Sequence, residues 1–170
     1  MKPACKNYVW GGHRLVEDYG VEYEGERLAE AWALSCHPDG ASVIDGGEFD
    51  GKTLIEYIAS EGREVLGENC RRFRDFPLLI KFIDAHDNLS IQVHPSNAYA
   101  LEHEGQFGKT EFWYILDAEP GAFICYGFKH EISEEEFAAR IKENTLLEVI
   151  KKVEVRRGDT ILIESGTLHA

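Results

Sequence analysis

Residues 89–97 read LSIQVHPSN, so that Ser90, Gln92 and His94 alternate with Leu89, Ile91 and Val93 until Pro95 ends the run. A side-chain period of two puts Gln92 and His94 on one face of an extended segment, about 7 Å apart along the backbone. Two other segments carry matching chemistry. Lys109 and Glu111 share a face of KTEFWY, and His169 lies in the closing GTLHA. Two imidazoles, a carboxylate and an amide oxygen form a donor set for one divalent cation such as zinc, the amide being the least common donor of the four. Ionisable groups in segments this apolar are costly unless something compensates them, and a cation would do so. A plainer alternative stays open at this level: the alternating face is wet and its histidine fortuitous. The chain has seven histidines, and His13, His37, His86, His103 and His130 each adjoin turn or charged residues, where a solvated ring is expected.

The elements that must position these residues read mostly as short strands between turns. EAWALSC is a strand in a region punctuated by Gly and Asp, and FPLLIKFIDA has the continuous apolar character of a strand buried on both faces. KTEFWYILDA and GAFICYGF are aromatic-rich strands linked by a turn at Glu119-Pro120-Gly121. VEVRRGDTILIESGTLHA predicts strand, Gly-Asp turn, strand and turn. Helices interrupt this pattern. Leu54, Ile55 and Ile58 have helical spacing with Gly62 as the stop, and REVLGENC extends the helical region. SNAYALEHEG is a short helix with Ser96 as N-cap and Gly105 beyond its end. SEEEFAARIKEN opens with capping-box spacing between Ser133 and Glu136, and TLLEVIKK reads as a second short helix. Strands at short spacing with inserted helices predict a mainly β fold, a sandwich or jelly roll, rather than a parallel α/β sheet.

Bulk properties narrow the function. The 170 residues suit one domain with a real core. With 18 basic and 31 acidic residues the net charge is -13, which argues against a nucleic-acid partner and requires any anionic substrate to be met by locally placed cations. Cys5, Cys36, Cys70 and Cys125 are too dispersed for a thiolate metal site or a disulfide framework, so free thiols in a reducing cytoplasm are expected. MKPACKNYVWGG lacks the apolar core of a signal peptide, and no run approaches a membrane span.

The spacing of the last segment is more specific. Gly158, five residues, Glu164, Ser165, Gly166, two residues and His169 resembles the second cupin motif, G-x5-P-x-G-x2-H, with Glu164 in the place of proline. The first cupin motif is present loosely, QVH standing for its H-x-H and the glutamate delayed to Glu111 by a helix-bearing insertion. WGG, EAWALSCHPDG, PLLIKFIDA, LSIQVHP, KTEFWYIL and GDTILIESGTLHA occur in the order seen in type I mannose-6-phosphate isomerases, and the chain resembles the N-terminal part of that family.

The resemblance implies a cupin-type jelly roll: residues 1–170 as one metal-binding domain with helical insertions near 52–70 and 133–151, lacking the C-terminal strands and the second cupin-like domain of the family. It implies one zinc ion per chain held by Gln92, His94, Glu111 and His169, a catalytic Lys109, and a substrate phosphate met by Ser90 and Lys81. For Lys81 an ion pair with an acidic neighbour is an alternative, as is simple neutralisation of Glu111 for Lys109 and a local backbone bond for Ser90. The implied reaction interconverts mannose 6-phosphate and fructose 6-phosphate by moving a proton between C1 and C2 through a cis-enediol. The expected partner is thus a small sugar phosphate, with neither nucleic acid nor membrane, and the oligomeric state is unreadable. A non-catalytic metal- and sugar-binding cupin domain is the competing reading. An iron oxygenase on the same scaffold is disfavoured by Gln92 and by the lysine beside Glu111.

Overall fold

The computed structural model describes residues 1–170, which divide into two units, Met1–Asn88 and Leu89–Ala170. The first unit contains strand β1 (Ala4–Lys6), a single helical turn α1 (Arg14–Glu17), strand β2 (Glu30–Leu34), helix α2 (Leu54–Glu61) and strand β3 (Ile80–Ile83). β2 is the centre of a three-stranded antiparallel sheet and pairs with both neighbours, Trp32 lying opposite Ala4 on one side and Lys81 on the other. Its core gathers Leu15, Leu28 and Ala31, against which Cys5, Val16, Val21 and Tyr23 pack.

α2 begins where the sequence supplies a complete capping box. The Thr53 hydroxyl accepts from the Glu56 amide, and the Glu56 carboxylate accepts from the Thr53 amide. Gly62 ends the helix, and two 3-10 turns, Arg63–Leu66 and Glu68–Cys70, replace the continuation that REVLGENC suggests. β3 departs from expectation. Its alternate residues Ile80 and Phe82 are exposed while Lys81 and Ile83 are half-buried, so it is a one-sided strand and not one buried on both faces.

The second unit contains helix α3 (Asn97–His103), strands β4 (Glu111–Tyr114) and β5 (Phe123–Phe128), helix α4 (Glu134–Glu143), and strands β6 (Ile150–Glu154) and β7 (Thr160–Ile163). The turn after β4 does not make a hairpin with β5. β4 pairs antiparallel with β7, and β5 with β6, so β4 and β5, though consecutive, lie in different two-stranded sheets. None of the three sheets closes into a barrel. TLLEVIKK forms only a 3-10 turn at Leu146–Glu148 before running into β6, because Ile150 has a strand partner in Phe128. Cys125, Ile150 and Leu168 form the core, with Ile91, Phe128, Phe137, Leu146 and Ala170 around them.

Helix starts in this unit follow local chemistry. Ser96 caps α3 by accepting from the Tyr99 amide, and Ser133 caps α4 by accepting from the Glu136 amide. The reciprocal half of the second box is diverted: the Glu136 carboxylate takes the Arg140 guanidinium one turn on, and Arg140 also reaches Glu148. No helix is long and apolar enough to cross a membrane.

Burial ranks the consequences of substitution. Ile150 is fully buried, so Ile150→Ala is expected to cost about 2–5 kcal/mol. Ser133→Ala should cost about 1 kcal/mol through the lost cap. Ile141→Ala, on an exposed position of α4, should stay within about 0.5 kcal/mol. Urea unfolding of the three variants checks the order; equal midpoint shifts for Ile150→Ala and Ile141→Ala would contradict the core assignment.

Candidate metal centre

The last five residues hold the site together. His169 exchanges both backbone hydrogen bonds with Gln92, at 2.9 Å each, and the Gly166 amide donates to the His94 carbonyl. On its other side the same segment bonds to β5: Gly127 donates to Leu168 O, and Cys125 and Ala170 exchange both bonds. Residues 166–170 thus lie between the 92–94 segment and β5, and His169 is completely buried. The turn that sends the chain back into this slot passes through Gly166 at φ +87°, a conformation that side-chain-bearing residues rarely adopt.

The 89–94 segment is not a continuous strand. Its only bridge is at Gln92, since 166–170 is its only backbone partner and offers few bonds. Its pattern is nevertheless inverted relative to an ordinary surface strand, because Gln92 and His94 are half-buried while Val93 is 54% exposed. Lys109 and Glu111 arrive at the same place through a close approach. The Lys109 amide donates to Pro95 O, and a Cβ on Gly108 would stand 2.3 Å from that same oxygen. The approach therefore needs glycine at position 108.

These constraints bring His94, Glu111 and His169 together, their donor atoms all within 4.8 Å of one another. His169 Nδ1 lies 2.9 Å from the Thr167 carbonyl, which can only accept, so Nδ1 carries the ring proton and Nε2 presents a lone pair. That lone pair faces Glu111 Oε2 at 3.1 Å, and both atoms are buried without a hydrogen-bond partner. Two buried acceptors at this distance repel unless a proton or a cation lies between them. Burial pushes the Glu111 carboxyl up while the Lys109 ammonium against its other oxygen draws it down; the net shift is downward, so the group is anionic at neutral pH. On the other oxygen, Oε1 lies 2.7 Å from Lys109 Nζ and 3.7 Å from His94 Nε2. The residues present therefore fit a cation: nitrogen and oxygen donors, one net negative charge, and an unsatisfied buried pair.

Some expected site residues fall elsewhere or make other contacts. Gln92 is beside His169 through its backbone, and Ser90 is exposed two residues earlier. Lys81 belongs to the first unit, where its ammonium lies 3.0 Å from Glu30 Oε1; Glu30 also accepts from Trp32 Nε1 at 2.7 Å, which satisfies a carboxylate that is only 6% exposed. Three contributors escaped sequence reasoning. Trp113 meets the His169 ring edge to face at 5.7 Å, Thr167 fixes its tautomer, and Gly108 permits the approach. Only Trp113 left a signal, its period-two relation to Glu111.

Comparison with known proteins identifies the family. The family model described as phosphomannose isomerase type I, catalytic domain, matches residues 1–119. The mannose-6-phosphate isomerase of Streptococcus mutans is 45% identical over 162 residues, covering 95% of this chain and 50% of its own length. The mannose-6-phosphate isomerase ManA of Bacillus subtilis is 40% identical, covering 100% of this chain and 53% of its own. The crystal structure of the Bacillus subtilis mannose 6-phosphate isomerase superposes with a TM-score of 0.89 at 39% identity, over 98% of this chain and 52% of that one. A mannose 6-phosphate isomerase described as bound with zinc and yttrium shares the fold, with a TM-score of 0.70 at 19% identity, over 98% of this chain and 63% of that one. The chain spans about half the length of the curated relatives it matches most fully. Its fold is therefore that of the cupin-type isomerases, and it belongs to the type I phosphomannose isomerase family.

Proposed function

We propose that the second unit binds one zinc ion per chain through His94, Glu111 and His169, with the Gln92 amide oxygen as fourth donor. We further propose that the chain carries the metal site of a cytoplasmic enzyme interconverting mannose 6-phosphate and fructose 6-phosphate. The observation that carries the reading is the buried pair of acceptors, Glu111 Oε2 and His169 Nε2, 3.1 Å apart with His94 beside them. Zinc is favoured because two imidazoles and one carboxylate match its usual nitrogen and oxygen donors, while no cysteine is among the clustered side chains.

When bound, zinc supplies Lewis acidity, stabilising the charge that develops on a sugar oxygen as the C2 proton leaves. The chain's own residues do the rest. His169 is fixed in one tautomer by Thr167, its backbone is bonded to Gln92, and its complete burial leaves the ring no room to turn away. Lys109 is the acid–base group of the proposal: its side chain is 39% exposed, and its ammonium lies at the edge of the donor cluster, where it can donate to a substrate oxygen. Ser90 and Lys81 are proposed to meet the phosphate. For Lys81 this means sharing its three donors between Glu30 and the ligand, which an ammonium can do.

A second reading is a metal- and sugar-binding domain without turnover. It is favoured by one observation, that the Lys109 ammonium is already engaged by Glu111 and His94.

Elemental analysis of purified, chelator-dialysed and zinc-reloaded protein should give about one zinc per chain, and Glu111→Ala should give none; equal zinc in both would refute the assigned site. Gly108→Ala removes no ligand but forces the strand that carries Glu111 off the 95–97 backbone, so it should weaken zinc binding by at least about tenfold. Unchanged affinity in that variant would show that the close approach does not position the site. A coupled assay of fructose 6-phosphate formation from mannose 6-phosphate should show turnover that is abolished by chelation and by Glu111→Ala. Zinc binding with no turnover would select the binding-domain reading instead.

A further inference from the structure

We infer that Lys109 competes with the cation for the lone pairs that hold it, so that the site loads only when the lysine lets go. The inference rests on the metal reading above. Lys109 Nζ lies 2.7 Å from Glu111 Oε1 and 3.2 Å from His94 Nε2, two of the atoms proposed as ligands. An ammonium only donates, so His94 Nε2 is the acceptor there. An imidazole nitrogen has one lone pair in the ring plane, and it serves a lysine proton or a metal ion, never both. Charge acts in the same direction, because an ammonium within hydrogen-bond distance of the ligands repels a divalent ion among them.

The donor set is thus divided. Glu111 Oε2 and His169 Nε2 face each other without hydrogen bonds, whereas Glu111 Oε1 and His94 Nε2 are engaged by the lysine. The lysine is built to move without disturbing the site. Its backbone is tied to Pro95 O, so the Cα stays in place while the flexible four-carbon stem swings. Its half-exposed side chain has solvent to swing into. Released by an incoming cation, the ammonium is left at the edge of the site with its donors free for a substrate oxygen. Loading the metal and freeing the acid–base group then become one event.

The test measures zinc affinity of the whole 170-residue chain by competition with a chromophoric chelator, with no activity readout. The probe is zinc alone. Lys109→Met is expected to tighten binding by about tenfold or more, and Lys109→Arg, which keeps the charge and the donors, to stay near wild type. Lys151→Met, which removes one exposed positive charge elsewhere in the same unit, is expected to change affinity less than about twofold. Circular dichroism verifies folding, and the pair of position-109 variants keeps the comparison meaningful if one of them is unstable. Unchanged or weaker binding by Lys109→Met would overturn the inference, since it would make the lysine a mere support for His94 and Glu111. Equal tightening by Lys151→Met would overturn it too, by reducing the effect to net charge. A wild-type chain that binds no zinc would instead refute the metal reading itself and the inference with it.

Discussion

Glu111 Oε2 and His169 Nε2, two acceptors 3.1 Å apart and out of contact with water, are the constraint around which the second unit is arranged. Such a pair is unfavourable by itself, since each atom has lost its hydration and gained a like-signed neighbour. It persists because the backbone leaves it no escape. His169 is bonded to Gln92 on one side and flanked by bonds to β5 on the other, while Glu111 is held in register against Ile163 of β7. The fold thus preorganises an electrostatic deficit that one cation would remove.

The same logic explains the parts that look incidental. α3 lies between His94 and Lys109, with Ser96 stopping the chain after Pro95 and starting the helix. The return is sealed by Gly108 lying directly against the 95–97 backbone, so residues far apart in sequence meet without a long shared strand. Gly166 performs the corresponding turn for the last segment. Each of these positions costs conformational freedom and makes no chemistry of its own, yet each fixes a donor within a few ångströms. Binding sites held by such supports keep their geometry when a substrate arrives, which is where catalytic advantage comes from.

Much of this was legible in the residues, and the illegible part has physical reasons. The alternation of Gln92 and His94 with Val93 told which side chains turn inward, because period-two patterns survive in any extended chain, even one with a single bridge. Helix starts at Ser96 and Ser133 were readable because caps are local. Long-range choices were not. Nothing near residues 111–128 says that β4 takes β7 and β5 takes β6 in place of one another. FPLLIKFIDA looked fully buried, but hydrophobicity alone cannot distinguish two covered faces from one, and Ile80 and Phe82 are exposed. The Glu30 partner of Lys81 lies 51 residues away, and the tautomer of His169 depends on a carbonyl that no side-chain pattern reveals.

Three distant segments bring nitrogen and oxygen donors to one place in this chain, and X-ray absorption at the zinc edge of the loaded protein shows whether they hold the ion. Light-atom coordination at about 2.0–2.1 Å with the multiple-scattering signature of two imidazoles and no sulfur is expected. A sulfur shell near about 2.3 Å, or the signature of fewer than two imidazoles, would place the ion elsewhere and contradict it.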